Sequence, residues 1–480
     1  MLRLVQVFTI VVTGAIFAAV NQVVVKPYLD EIFHIPQTIR YYNGNWSYWD
    51  PKITTPPGLY ILAVAYAKIL SLISTNFECN VRVLRSFNLI GQLVFLPWVL
   101  SLFPLSHHSL SARTTVMLQL LPPLYFFTFL YYTDMWSTIF ALLSVALALR
   151  STRASWISVV VKMLVGTMAI ALRQTNVIWV SYAFAVEILT VLVYPDEKGK
   201  DRADDAWFMA ASAKLEDVSA PSDLIRAGVG AIVRVWRALR GNKRSKALKI
   251  LCSYSFTIGV FLLFAIANGG ITLGDKDNHV AGIHLPQLFY FSTFACVLSI
   301  PTIFPVISQT FNILVYRPFT FAIATSIIIV AIYTTTVAHP FILADNRHYT
   351  FYLWRKCLNA TPWSRYLFAP GYGVALYIIF ARAVRKGRIL TSVVFFCACA
   401  AVLIPSPLIE CRYYIVPYMI WRMRVAILNA EGLDTRRENK VGEYVEIFWY
   451  MIINAITIGL FLGYSFEWPS EPGIAQRFMW

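Results

Sequence analysis

Runs of about twenty apolar residues recur from one end of this chain to the other, and that recurrence limits the fold more than any other feature. A helix of about 20 apolar residues crosses the hydrocarbon core of a bilayer. Lipid offers the backbone no hydrogen-bond partners, so runs of this kind must be helical. Composition agrees: of 480 residues, 58% are hydrophobic and 14% charged, against about a quarter charged in an ordinary soluble domain. The sequence predicts an all-α polytopic membrane protein, one transmembrane domain over 1–480. Candidate spans lie at 4–25, 83–103, 114–132, 135–149, 156–172, 177–193, 247–267, 285–304, 319–338, 366–381, 389–403, 413–428 and 444–464. A short apolar stretch at 58–74 and a weak span at 413–428, which carries Pro417, Arg422 and Arg424, set the expected number of crossings at 12–14. The first run has no small-residue cleavage site before the acidic segment that follows it, and reads as a retained helix.

The net charge is +16. In a membrane chain this needs no nucleic acid, because Lys and Arg mark cytoplasmic loops. With the N-terminus cytoplasmic and 58–74 not crossing, the basic residues at Arg113, 150–153, 195–246, Arg317 and 382–388 all fall on the cytoplasmic side. If 58–74 crossed, the basic 195–246 loop and the ARAVRKGR loop would face the other way. The stretch 58–74 therefore reads as an interfacial or re-entrant helix in a first lumenal loop, 26–82. Residues 195–246 read as a solvated cytoplasmic linker. The weak span at 413–428 leaves both sides open for the C-terminus. The seven cysteines are scattered, without CxxC or metal-ligand spacing, so neither a disulfide framework nor a zinc site is expected; no P-loop or dinucleotide motif calls for a cofactor, and the Asp-rich loops leave metal dependence open.

On this topology, polar stretches gather on one side: DEIFHIPQ (30–37), WDPKITTPPGLY (49–60), FLYYTD (129–134), RQTN (173–176), NGGITLGDKDNHVAGIHLPQ (268–287), LADNRHYTFYLW (343–354) and ECRYY (410–414). If the first is helical, Asp30, His34, Gln37 and Tyr41 share a face, with Ile32, Phe33, Ile35 and Ile39 mostly opposite. A partly desolvated carboxylate there, Asp30 or Glu31, suits a general base. Both acids also suit a helix's first turn through its dipole alone. In the second stretch, Thr54 or Thr55 is expected to cap a helix with Pro56–Pro57 in its first turn. Trp49 suits sugar stacking, and Asp50 suits a substrate hydroxyl. Arg347, His348 and Arg412 suit a phosphate, although Tyr, Trp and Arg also anchor membrane boundaries. His279 and His284 do not share a helical face, so a metal is not expected between them.

PYLDEIFHIPQ, WDPKITTPPGLY, FLYYTD, RQTN, NGGI…GD…H, HLPQLFYF, LADNRHYTFY, ECRYYIVPY and the final QRFMW, in this order, resemble the eukaryotic dolichyl-phosphate-glucose-dependent α-1,2-glucosyltransferases. One departure is Asp134, where Glu is usual; the charge is kept. The resemblance implies a GT-C-like fold, with interfacial helices and an acidic base in the first lumenal loop. It implies a protein of the endoplasmic reticulum membrane whose active site faces the lumen. The donor would be dolichyl phosphate glucose and the acceptor a lipid-linked oligosaccharide, with no nucleotide site. The reaction implied is inverting, and a single base suffices. Asp30 is preferred as that base, with Glu31 second. Arg347, His348 and Arg412 would take the donor phosphate. His34, Gln37, Trp49, Asp50, Asp275, His279, Asp345 and Tyr349 would contact substrate. The rival readings are a lumenal mannosyltransferase using dolichyl phosphate mannose, a transporter, and a membrane partner that modulates a channel. A transporter would want ionisable residues along a pathway within the membrane, whereas here the charges sit mostly at loop edges.

Overall fold

The computed structural model describes residues 2–74, 76–103, 112–150, 155–193, 221–278, 280–303, 307, 310, 315–384, 389–430 and 440–480. Among the described residues, six helices are long and apolar enough to cross a membrane: Gln6–Val23, Val81–Ser101, Asn176–Val193, Arg244–Ala267, Pro318–Thr335 and Val441–Gly463. Shorter apolar helices are Gly58–Ile73, Asp134–Leu149, Trp156–Leu172, Pro286–Leu298 and Ile389–Leu403. Their outer faces carry exposed Val11, Leu263, Ile266 and Phe319, as lipid-facing surface requires. The chain is an all-α polytopic membrane protein. Its only strands among the described residues are Ser465–Trp468 and Glu471–Arg477, an antiparallel hairpin at the C-terminal end.

Three local expectations are corrected. The apolar run at 114–132 is not one helix. It breaks between Ala112–Gln119 and Pro122–Phe127, because Pro122 and Pro123 have no N–H to donate to the preceding turn. Thr54 and Thr55 do not cap the next helix: the cap position of Gly58–Ile73 is Pro57, with no side-chain hydrogen bond. The 195–246 segment is not linker throughout. Its part at 194–220 lies outside the described residues, but Pro221–Arg240 is a helix. The helical spacing of Ile225, Val229, Ile232 and Trp236 is diluted in sequence by the alanines and arginines between them.

The polar stretches come together at one end of the bundle. Gln174 Nε2 donates to the Thr54 carbonyl, and the Leu273 amide donates to the same oxygen. Asp275 N–H reaches the Pro51 carbonyl. Gly58 packs against Ala171 and Leu172, so closely that a Cβ there would sit 2.5 Å from the Ala171 oxygen. Further along the same helix, Tyr66 hydrogen-bonds Ser86 at 2.9 Å, near the start of the Val81–Ser101 helix. The first and middle turns of Gly58–Ile73 thus meet the end of the bundle that holds Arg173 and Arg85. The C-terminal hairpin docks there too. Tyr28 Oη accepts from the Arg477 amide at 2.8 Å and donates to the Arg477 carbonyl at 2.6 Å.

Candidate functional site

The segment after the first helix turns sharply at Leu29, whose φ of +51° is left-handed, a conformation rare for a branched residue. The turn delivers Asp30 to the start of the Glu31–Tyr42 helix. Two adjacent carboxylates then point to different fates.

Glu31 is wholly buried and fully engaged. Its Oε1 accepts from Arg85 Nε at 2.8 Å and from the Tyr131 amide at 2.7 Å. Its Oε2 accepts from Arg85 Nη2 at 2.6 Å and from the Tyr28 amide at 2.9 Å. Arg85 is equally buried and also donates to the Val24 and Lys26 carbonyls. Glu31 therefore ties the first loop to the Val81–Ser101 helix.

Asp30 does not cap its helix. Its side chain keeps 39% of its surface open, and Oδ2 accepts from Arg412 Nη1 at 2.8 Å. Burial pushes the carboxyl up, but the Arg412 guanidinium outweighs it and holds Asp30 below the usual carboxylate range. Arg412 is anchored on its other edge by Glu410, through Nε and through Nη2 at 3.2 Å. Desolvation would weaken its charge; Glu410, Asp30 and Asp134 reverse that, so Arg412 stays a firm cation.

His34 lies one turn on from Asp30. Its Nδ1 pairs with Tyr60 Oη at 2.7 Å. Burial pushes its pKa down against the pull of Asp30, which keeps the ring neutral at neutral pH. Gln37 and Tyr41 are buried on the same face, and Ile32 is exposed on the other, as the spacing predicts. Ile35 departs from that reading and is buried. Gln37 braces the loop that follows: Nε2 donates to the Tyr48 carbonyl, and Oε1 accepts from the Asp50 amide. Trp49 lies edge-on to Tyr60, with ring centroids 6.0 Å apart. Asp50 receives the Lys52 amide in a tight turn.

Asp345 gives both oxygens to Arg347, to Nε at 2.8 Å and to Nη2 at 2.7 Å. The third arm of Arg347 reaches Gln476 at 3.1 Å, and its guanidinium lies 4.3 Å above the Trp468 ring. This pair holds the C-terminal hairpin. His348 pairs with Met479 in a short parallel bridge and bonds the Trp480 carbonyl through Nδ1. Its Nε2 lies 3.7 Å from Asp345. Tyr349 packs edge-on against Trp480. Asp275 has a left-handed backbone, φ +46°, and accepts from Asn278 Nδ2. His279 lies outside the described residues.

Several members of this constellation were not singled out as site residues from sequence. Glu410 anchors Arg412. Asp134, buried at the head of its helix, takes Arg173 Nη1 at 2.9 Å, and its charge reaches both His34 and Arg412. Tyr132 Oη receives the Asp30 amide. ECRYY, FLYYTD and RQTN had marked these loops as polar, but no spacing pairs a residue in one with a residue in another.

The arrangement is thus one open carboxylate held by one arginine, with a neutral histidine on one side and an Asp345–Arg347–His348 group on the other. It can accept a proton at Asp30 and meet an anion at Arg412 and His348.

The family model for the DIE2/ALG10 family matches residues 24–423. A protein of Yarrowia lipolytica is 32% identical, over 100% of this chain and 98% of its own. Proteins of Mus musculus and Homo sapiens are each 32% identical over 98% of this chain and 97% of theirs. All three carry the name Dol-P-Glc:Glc(2)Man(9)GlcNAc(2)-PP-Dol alpha-1,2-glucosyltransferase. No solved structure matches. On the family match and on relatives that align across almost its whole length, the chain belongs to the DIE2/ALG10 family.

Proposed function

We propose that the chain moves glucose from dolichyl phosphate β-glucose to the 2-hydroxyl of the terminal glucose on a diglucosylated dolichyl-pyrophosphate oligosaccharide. The linkage formed is α-1,2, and the anomeric centre inverts. The names of the full-length relatives support the donor and the acceptor; they favour neither a mannosyl donor nor a transporter. The relatives' pathway supports the endoplasmic reticulum membrane, and the distribution of basic loops supports a lumenal site.

One observation carries the chemistry: of the two adjacent carboxylates, Glu31 has every hydrogen-bonding direction filled, whereas Asp30 is open. On this reading Asp30 takes the proton of the acceptor hydroxyl as that oxygen attacks the anomeric carbon. The bond from that carbon to the phosphate oxygen breaks, and dolichyl phosphate leaves with the electron pair. A phosphate leaving group is already a weak base, so it needs charge stabilisation more than a general acid. Arg412 and His348 supply it, with Arg347 behind them.

Arg412 has two successive duties in this scheme. In the resting protein it pairs with Asp30. An incoming donor phosphate competes for the same guanidinium. As Arg412 turns toward phosphate, Asp30 loses its main stabilising partner and becomes a stronger base where the acceptor binds.

The test is transfer by the purified, lipid-reconstituted protein, offered dolichyl phosphate glucose and dolichyl phosphate mannose in parallel with the diglucosylated acceptor. Transfer of glucose alone, into a product cleaved by an α-1,2-glucosidase, is the expected result. Transfer of mannose instead would overturn the donor assignment.

A further inference from the structure

The Pro221–Arg240 helix plays no part in the site. It lies at the opposite end of the bundle. The Asn176–Val193 helix starts beside Arg173 at the site end, and its 18 residues carry the chain about 27 Å away at 1.5 Å per residue. At its far end, Leu189 and Val193 form a small apolar cluster with Ala231, Val235, Leu390 and Val394. Arg234 Nη1 donates to the Val193 carbonyl at 2.7 Å and closes that helix end. The Pro221–Arg240 helix therefore packs on the ends of the Asn176–Val193 and Ile389–Leu403 helices, and leads into Arg244–Ala267 through a tight turn. Its contacts with those helix ends run through Ala231, Arg234 and Val235, in its second half.

Its outer face is apolar. Ile225, Val229, Ile232 and Trp236 are all exposed, Ile232 by 71%, and the spacing i, i+4, i+7, i+11 aligns them in one stripe. Four such residues are hard to leave in water at the level where the bundle enters lipid. The polar margin is almost entirely basic. Residues 221–250 contain eight Lys and Arg and a single acidic residue, Asp223. Arg226, Arg237, Arg240, Lys243, Arg244 and Lys246 are exposed, and Arg240 lies 4.2 Å over the Trp236 ring. Exposed Trp156, with Lys249 over its ring, marks the same level, as tryptophans do at a membrane boundary.

We infer that Pro221–Arg240 is an in-plane membrane helix whose apolar stripe enters the bilayer while its arginines and the following lysines gather anionic phospholipid headgroups. An amphipathic helix with a basic face behaves in this way. Each Lys or Arg near an anionic surface adds to that attraction. The chain would thus hold anionic lipid on the face opposite its candidate site, independently of what that site transfers.

Two measurements on the full chain test this. In nanodiscs of phosphatidylcholine mixed with phosphatidylserine, native mass spectrometry reads which lipid stays bound. The wild type is expected to retain phosphatidylserine. The quadruple variant Arg226→Gln, Arg237→Gln, Arg240→Gln, Lys243→Gln, matched to the wild type in melting temperature, is expected to retain it at least about five-fold less. Equal retention would overturn the headgroup assignment. Separately, a photo-crosslinking amino acid replaces Ile232, with Leu263 on the lipid-facing Arg244–Ala267 helix as control. Lipid adducts at both positions are expected. A protein adduct at 232, or none there while 263 labels lipid, would overturn the in-plane placement.

Discussion

Asp30 and Arg412 meet at 2.8 Å although 382 positions separate them. The pair joins the first loop to a loop near the end of the chain, and it sets the protonation of the proposed base. Burial alone would raise the Asp30 carboxyl; Arg412 lowers it instead.

The sign of that shift fixes a pH dependence. A lowered carboxyl is ionised, and so able to accept a proton, at every pH above its folded value. In the free protein kcat/KM is therefore expected to stay flat from neutral pH down through about 4, the ordinary aspartate range, and to fall only below it. Replacing Arg412 by Gln removes the main cause, so the acid limb moves to higher pH. If donor phosphate draws Arg412 away, the limb of kcat lies at higher pH than that of kcat/KM, since kcat reports the bound complex. Profiles that coincide would speak against the exchange of partners.

Glu31 is expected to behave as a structural residue. Its pair with Arg85 is wholly buried, and removing one partner of such a pair costs about 3–5 kcal/mol. Glu31→Gln should lower the melting temperature and the yield of folded protein. The transfer rate per folded molecule should fall far less than the yield. Circular dichroism melting alongside activity titrated against folded protein checks this.

Gly58 controls the layer that carries the site. A Cβ at this position would lie 2.5 Å from the Ala171 oxygen and 2.6 Å from its carbon, both rigid backbone. Gly58→Ala must push Gly58–Ile73 away from the end of Trp156–Leu172, and Tyr60 moves with it. A loss of about 1–3 kcal/mol is expected from such overpacking, with reduced transfer, read by thermal unfolding and initial rates.

The C-terminal hairpin should matter through Tyr28. Its hydroxyl both accepts from and donates to Arg477. Tyr28→Phe removes both bonds and leaves the backbone groups to find new partners, at a cost of about 1–3 kcal/mol. The hairpin should then exchange its amide hydrogens faster, with the largest change at 476–480. Unchanged exchange would mean that Arg347 and Trp468 suffice to hold it.

Much of this was legible in sequence, because membrane helices and an amphipathic loop helix write themselves as composition and spacing. The apolar runs located the bundle, and the i, i+4, i+7 placement of Asp30, His34 and Gln37 gave their common face. The ion pairs were not legible. Arg85 lies 54 positions from Glu31 and Arg173 lies 39 from Asp134, and no local period links residues whose meeting depends on how helices pack. The proposed choice of Asp30 over Glu31 rests on the Glu31–Arg85 pair, which sequence does not show. The Pro122 break was readable, but the apolar run around it was the louder signal. The hairpin at Ser465–Arg477 is short and mixed in polarity, and it carries no clear alternation.

The most direct test of the account is transfer of labelled glucose from dolichyl phosphate glucose to the diglucosylated acceptor by purified wild type and Asp30→Asn, with metal chelated. Asparagine keeps the shape and cannot take the proton. The account predicts transfer by wild type and a loss of about 10²–10⁴-fold in the variant, with its melting temperature nearly unchanged. Transfer by Asp30→Asn at the wild-type rate would contradict it.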